Sequence, residues 1–335
     1  MWSSGSGEDL RLGEGVSRKL RNILAACLML AAGAALAQGG GPTKIVVAFP
    51  PGGPVDFVAR ILAEGLGKEL RQSVIVENRP GANGGIAAQA VAKAAPDGTT
   101  LWLSSAGAMV LNPALYENLA YDAQRDFAPV SLVVNNVEVL VVNPSNPANS
   151  AAELVAQSKQ KPDPVPIASS GIGSMPHLAM ELFADSSGAK LMHVPYKGAA
   201  PAITDVMGGQ VSGFFGDVPG VVGFIRGGKL KAIGIAARVR HPLLPDVPTL
   251  DEQGIGGVES NNWYALFAPA KTPPARIAEL NAAVRSVLTS DAYRKRVVDS
   301  GAEPSPSTPE QLAALVVTDG AKWSRIIRER KIVGE

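Results

Sequence analysis

The chain has 335 residues, room for two domains at the usual ~100–200 residues each, and its 46% hydrophobic content is enough for a sizeable core. The formal charge is +1, from 31 basic and 30 acidic residues, so the basic excess that marks a nucleic-acid binder is missing. One cysteine and three histidines exclude a cysteine-based metal site and argue against a histidine cluster, while 36 glycines and 26 prolines without a short period exclude collagen-like and low-complexity chains.

The N-terminus reads as an address. Arg18, Lys19 and Arg21 precede an apolar run from Ile23 to Leu36 that ends in Ala35-Leu36-Ala37, the pattern of a secretory signal cut after Ala37. The run is shorter than the ~20 residues a spanning helix needs. Leu24-Ala25-Ala26-Cys27 has the form of a lipid-attachment box, but the longer apolar stretch follows the cysteine instead of preceding it. Cleavage at Ala37 removes Cys27 and leaves 27 charges of each sign. A neutral, disulfide-free, exported chain fits the periplasm.

From Lys44 onward, short β-type runs alternate with helical patterns. Ile45–Phe49 predicts a strand, Pro50-Pro51-Gly52-Gly53 a turn, and the spacing of Val58, Ile61, Leu62 and Leu66 a helix from Pro54 to Leu70. Strands at Val74–Glu77 and Thr100–Ser104 then flank a helix at Ile86–Ala94. The apolar stretch Val130–Val142, interrupted by Ser131, Asn135, Asn136 and Glu138, predicts two strands in succession or one strand passing between domains. A second series follows: strands Val165–Ser169, Leu191–Pro195 and Val211–Phe215, with helices over 150–160, 176–186, 199–208 and 218–226. Leu230–Ala236 is a β-type run suited to carry the chain back. A turn-rich stretch His241–Gly257, a strand at Trp263–Ala268 and helices over 274–289, 291–299 and 309–330 complete the chain. This is the signature of βαβ units on parallel sheets, and two such units joined by two crossings predict a hinged pair over a cleft.

Three loops, Pro50–Asp56, Ser104–Ala108 and Ser169–His177, follow strands at their carboxyl ends, where open α/β sheets bind ligands. None contains lysine or arginine. The first and third open helices, whose unpaired N–H groups and partial positive charge hold a carboxylate without a cationic side chain. Ser174 is placed to cap its helix, and Asp56 to face the helix dipole. Asp217, just after a strand, is placed to reach the cleft and meet an amino or hydroxyl group. No G-x-S-x-G elbow, phosphate loop or H-E-x-x-H occurs, and Gly171-Ile172-Gly173 is not completed as G-x-G-x-x-G.

Six ordered motifs carry a family resemblance: Ala48-Phe49-Pro50-Pro51-Gly52-Gly53-Pro54-Val55-Asp56, Asn78–Gly85, Asp97-Gly98-Thr99-Thr100-Leu101, Gly173–Leu178, His193-Val194-Pro195-Tyr196-Lys197-Gly198 and Leu244–Thr249. Together they resemble the Bug family, the extracytoplasmic solute receptors of tripartite tricarboxylate transporters. Asn83 stands where the family usually has glycine, and Pro54-Val55 fills a variable pair. The resemblance implies a type II α/β periplasmic binding protein, a two-lobed "Venus flytrap" with two crossover strands. Lobe 1 would comprise 43–135 with 236–335, and lobe 2 would comprise 136–235. It implies a monomer without cofactor or metal that captures a small carboxylate or an amino-acid-like ligand and delivers it to membrane permease subunits. The site expected on these grounds comprises Phe49, Pro51, Gly52, Gly53, Asp56, Ser104, Ser105, Ser169, Ser170, Gly171, Gly173, Ser174, His177, Tyr196 and Asp217. The alternatives are a periplasmic sensor, identical in sequence pattern, and a secreted hydrolase built on Ser174 and His177.

Overall fold

Strand β1 (Thr43–Val47) begins the architecture that positions the site, and four of its five residues are buried, as a strand covered on both faces requires. The computed structural model describes Met1 and residues 41–333; the signal sequence, its cleavage site and Cys27 lie outside the described residues. Helix α1 (Pro54–Glu69) starts with proline at its first turn, where the missing N–H costs nothing. It buries Val55, Val58, Ile61, Leu62 and Leu66 on one face. Strand β2 (Val74–Asn78), helix α2 (Gly85–Ala92) and strand β3 (Thr100–Ser105) follow. β1 pairs in parallel with both β2 and β3. The apolar run after β3 winds into a π-type turn over Gly107–Leu111 and a short helix α3 (Asn112–Leu115), so the loop expected at Ser104–Ala108 is instead the end of β3 and the start of this turn.

Strand β4 (Phe127–Val142) settles the ambiguity at the first crossing: it is one strand of 16 residues. At ~3.3 Å per residue it runs roughly 50 Å. Its first part, to Val137, pairs antiparallel with β9 (Asn261–Pro269), which also pairs with β3. From Glu138 on, it pairs antiparallel with β7 (Gly213–Asp217) and β8 (Lys231–Ile235). The register with β9 shifts at Pro129–Ser131 and at Leu132–Val134; proline lacks the N–H that the ladder needs at that point.

The second strand set repeats the first. β5 (Val165–Ser169) pairs in parallel with β6 (Leu191–Pro195) and β7. Helices α4 (Ala151–Gln160), α5 (Met175–Ser187), α6 (Ala199–Met207) and α7 (Val218–Arg226) connect the strands. The strand order is therefore β2-β1-β3-β9-β4 and then β7-β5-β6, with β4 common to both sets. That sharing makes the chain from Pro42 onward pack as one unit. The chain returns from β8 to β9 through 236–260, where the amide of Ser260 bonds to the carbonyl of Ala236. Helices α8 (Pro274–Thr289), α9 (Asp291–Ser300) and α10 (Pro309–Glu329) close the first set, and a two-residue strand β10 (Glu303–Pro304) pairs with β4. α10 opens with a complete capping box, Thr308 with Gln311. Burial divides into three cores. One surrounds Trp102, whose ring lies 4.7 Å from that of Phe127. The second lies between α1 and α8, and the third is built on Val139, Phe214, Val218 and Val221.

Candidate ligand-binding site

The loop after β1 is shaped by charge. Gly52 has φ +85, a conformation glycine adopts freely, and its N–H donates to Asp56 Oδ2 at 3.0 Å. Arg60 forks onto the same carboxylate, with Nε to Oδ2 and Nη2 to Oδ1 both 2.9 Å. Asn78 Nδ2 donates to Asp56 Oδ1 and to the carbonyl of Phe49, each at 2.9 Å. Burial alone would raise the Asp56 pKa, but the hydrogen bonds from Arg60, Gly52 and Asn78 together hold it below the ordinary value. Asp56 is thus occupied by protein groups and braces the loop from behind. Pro51 and Gly52 are exposed at the tip. Gly53 has ordinary extended dihedrals, φ −84 and ψ 171, and no side chain caps α1.

The loop after β5 is shaped by hydroxyl and imidazole groups. Ser169 Oγ meets His193 Nε2 at 2.6 Å and accepts from the N–H of Gly171 at 3.1 Å. His177 is buried, with Nδ1 accepting from the N–H of Gly173 at 3.2 Å, and its ring stacks on His193 at 4.0 Å. Burial and the neighbouring His177 push the His193 pKa down to about 4. Ser174 Oγ accepts from the N–H of His177 at 3.4 Å, the expected cap. Because its hydroxyl serves the backbone and the His177 ring turns to Gly173, these two residues form no nucleophile–base pair of the kind a hydrolase needs.

The two loops meet. Phe49 and Ser170 border two adjoining cavities. The inner one, about 20 Å³, is lined by Phe49, Pro50, Gly53, Pro54, Val55, Ser170, Pro176, Ala199, Ala200, Phe214, Asp217, Asn262 and Tyr264. Residues from the first turns of α1, α5 and α6 therefore line one cavity, at the helix end that carries partial positive charge, although Pro54 and Pro176 themselves bring no N–H. The outer cavity, about 230 Å³, adds Ala48, Gly81–Asn83, Tyr116, Gly171, Ile172, Pro195, Tyr196 and Lys197. A larger depression of about 860 Å³ lies between 109–126 and α10, but no helix of useful length starts there and none of the unpartnered buried polar atoms borders it.

The loops approach closely because small residues face them. A Cβ on Gly198 would stand 2.7 Å from Pro50 Cδ, and one on Gly220 would stand 3.3 Å from Pro54 Cγ. Asn83 adds a polar tie. It occupies the left-handed region, φ 42 and ψ 45, which asparagine tolerates better than most residues. Its Nδ2 donates to the carbonyl of Gly173 at 2.6 Å and to Asn112 Oδ1 at 2.9 Å.

Of the residues expected from sequence, Phe49, Gly53, Ser170, Gly171, Tyr196 and Asp217 border the cavities. Ser169, Gly173, Ser174 and His177 set the shape of the second loop without bordering either. Ser104 and Ser105 are buried, Ser104 donating to the carbonyl of Ser105, and border neither. Tyr196 donates its hydroxyl to Asp205 at 2.7 Å. Asp217 accepts from Asn262 Nδ2 at 3.0 Å and from the hydroxyl of Tyr264. Burial drives its pKa up, against those two hydrogen bonds. Its strand partner Glu138 is also raised, by burial and then by the Asp217 charge, with Ser260 opposing through a 2.7 Å hydrogen bond. Glu138, His193, Asn83, Asn262 and Tyr264 were not among the expected residues. The polar interruptions in two otherwise apolar strands, β4 and β9, were the available signal for Glu138 and Asn262.

Two α/β strand sets sharing one long strand, with helix starts converging on a cavity between them, define a solute-binding receptor fold of the periplasmic type. The model of the tripartite tricarboxylate transporter family receptor matches residues 58–332, and the chain belongs to that family. It is 38% identical to protein BugT of Bordetella pertussis over 289 residues, covering 86% of this chain and 89% of BugT. Among solved structures, a Rhodopseudomonas palustris protein with adipate is 31% identical, with a TM-score of 0.85 over 88% of this chain and 99% of that one. MatC from the same organism, with bound malate, is 35% identical, with a TM-score of 0.82 over 86% and 99%. The chain is a Bug-type solute-binding receptor of a tripartite tricarboxylate transporter. Among the described residues no helix is long and apolar enough to cross a membrane.

Proposed function

We propose that this receptor captures a small carboxylated solute where the Pro50–Gly53 and Ser170–Gly173 loops meet, and delivers it to the membrane permease subunits of its transporter without chemical change. The observation that carries this is the convergence of three helix starts on one cavity whose inner wall has no cationic side chain. A carboxylate fits that environment, because backbone N–H groups and helix dipoles supply the compensation that lysine or arginine would otherwise provide. The relatives solved with adipate and malate are consistent with this class of solute.

The two strand sets act as lobes, 43–135 with 236–335 and 136–235, hinged where β4 changes partners. Pro50 against Gly198 and Pro54 against Gly220 form the closing contacts. Asp56, Ser174, His177 and Ser169 position the loops, while the N–H groups of Gly53, Ser170 and Ile172 meet the carboxylate. The leader ending at Ala37 sends the chain to the periplasm, where it works as a monomer.

The test is a thermal-shift screen of the purified mature protein against mono-, di- and tricarboxylates, amino acids and aromatic acids. A binder at 100 times its Kd stabilises the native state by ~2.7 kcal/mol. A screen in which no carboxylate raises the melting temperature would overturn the reading.

A further inference from the structure

Four buried oxygens at the base of the cleft have no hydrogen-bond partner: Asn136 Oδ1, Glu138 Oε1, Asp217 Oδ1 and Asn262 Oδ1. Their common location follows from the strand registers. Asn136 and Glu138 alternate onto one face of β4; Asn262 of β9 stands opposite Asn136, and Asp217 of β7 stands opposite Glu138. Each amide has its nitrogen committed elsewhere, Asn136 to the carbonyl of Asn262 at 3.0 Å and Asn262 to Asp217 Oδ2. What remains is a cluster of unpartnered oxygens, two of them on carboxyl groups, with no lysine, arginine or histidine among the residues of the inner cavity. Leaving such acceptors unmet is costly. Asp217, only 5% exposed, and Asn262 border the inner cavity. Its volume of about 20 Å³ holds a single group the size of one water and excludes the body of a solute, which the adjoining 230 Å³ accommodates.

We propose that the solute is an amino acid whose ammonium group enters the inner cavity and donates to Asp217 Oδ1 and Asn262 Oδ1, while its carboxylate takes the helix-start N–H groups beside it. This rests on the carboxylate reading above and narrows it. An ammonium brings three hydrogens and a positive charge to two acceptors, one of them on the Asp217 carboxyl; a hydroxyl brings one hydrogen and no charge. Acceptors and helix starts side by side match the zwitterionic head of an amino acid, with neighbouring positive and negative groups. Glu138 from β4 and Tyr264 from β9 are the titratable groups facing Asp217, and Glu138 holds the proton that lets the pair stay buried when Asp217 ionises against the ammonium.

The experiment is calorimetric titration of the mature protein with matched acids: L-alanine and propionate, L-aspartate, L-malate and succinate, L-glutamate and glutarate, L-phenylalanine and 3-phenylpropionate. At least one amino acid should bind ten-fold or more tightly than its partner lacking nitrogen, and Asp217→Asn should erase that ratio. Repeating the wild-type titration in two buffers of different ionisation enthalpy should show net proton release near neutral pH on amino-acid binding. That readout does not depend on the variant folding. Equal affinity for the nitrogen-free or hydroxy partner, or absence of proton release, would overturn the ammonium site and leave the carboxylate site standing. Failure of every acid and amino acid to bind would overturn both.

Discussion

The two loops that meet at the cleft do similar work with opposite chemistry. Around Gly52 the backbone is pinned by an ionised carboxylate, with Asp56 gathering Arg60, Asn78 and the Gly52 N–H. Around Gly173 it is pinned by the Ser169 hydroxyl and two stacked histidines. The first loop sits on an open rim where Arg60 is half exposed and well hydrated. The second is buried at Ser169, Gly173 and Ser174, and hydroxyl and imidazole groups hold it. Both arrangements bring residues of the helix starts to the border of the inner cavity, which is the property the proposed function needs.

The comparison is broken most severely at Gly173. Its φ of +74 favours glycine, and a Cβ there would stand 3.0 Å from Leu115 Cδ1 and 3.1 Å from Asn112 Oδ1. Gly173→Val should cost more than ~2 kcal/mol in urea unfolding and abolish binding. Gly53, with extended dihedrals and no atom nearer than 3.8 Å to an added Cβ, should accept alanine within ~0.5 kcal/mol. Next in size is Asp56→Ala, which strands the Gly52 N–H and the Arg60 fork; a loss of ~1–3 kcal/mol is expected in the same assay. Ser174→Ala removes a 3.4 Å cap and should cost ~1 kcal/mol.

The most discriminating effect is one of pH, because the two loops should fail at different pH. The His193 pKa is lowered from 6.5 to about 4 in the fold, so between those values the unfolded chain binds more protons and stability falls as pH drops. Asp56 is lowered below its ordinary value of 3.8. Its contribution is complete above that value and disappears as pH falls through the folded pKa. Thermal unfolding across pH 7 to 3 should therefore show a first decline that His193→Gln flattens and a later one that Asp56→Asn flattens. One shared decline, removed by either substitution, would contradict the separation.

Much of this was legible in the chain. Strands Val165–Ser169 and Leu191–Pro195 have the expected bounds, because short apolar runs between turn residues leave little freedom. The Pro54 helix start was equally plain. β4 was ambiguous, since one long strand with polar interruptions has the same pattern as two short ones, and only the change of partner at Glu138 distinguishes them. The roles of Asp56 and His193 were hidden for a different reason. The local pattern presented Asp56 as a helix-start acid and His193 as one residue of a strand. Arg60 lies a helical turn from Asp56, but Asn78 comes from another strand, and His177 reaches His193 only through the fold. Asn83 is intermediate: a left-handed position is suggested by a residue replacing glycine, whereas its bond to Gly173, 90 residues away, is not.

The central claim, that one solute is held by both loops at once, is tested most directly by amide hydrogen exchange with and without the acid that gives the largest thermal shift. The account predicts added protection at the amides of Gly53 and Val55 in the first loop and at Ser170 and Ile172 in the second. Protection confined to one loop, or appearing instead along 109–126 and α10, would contradict it.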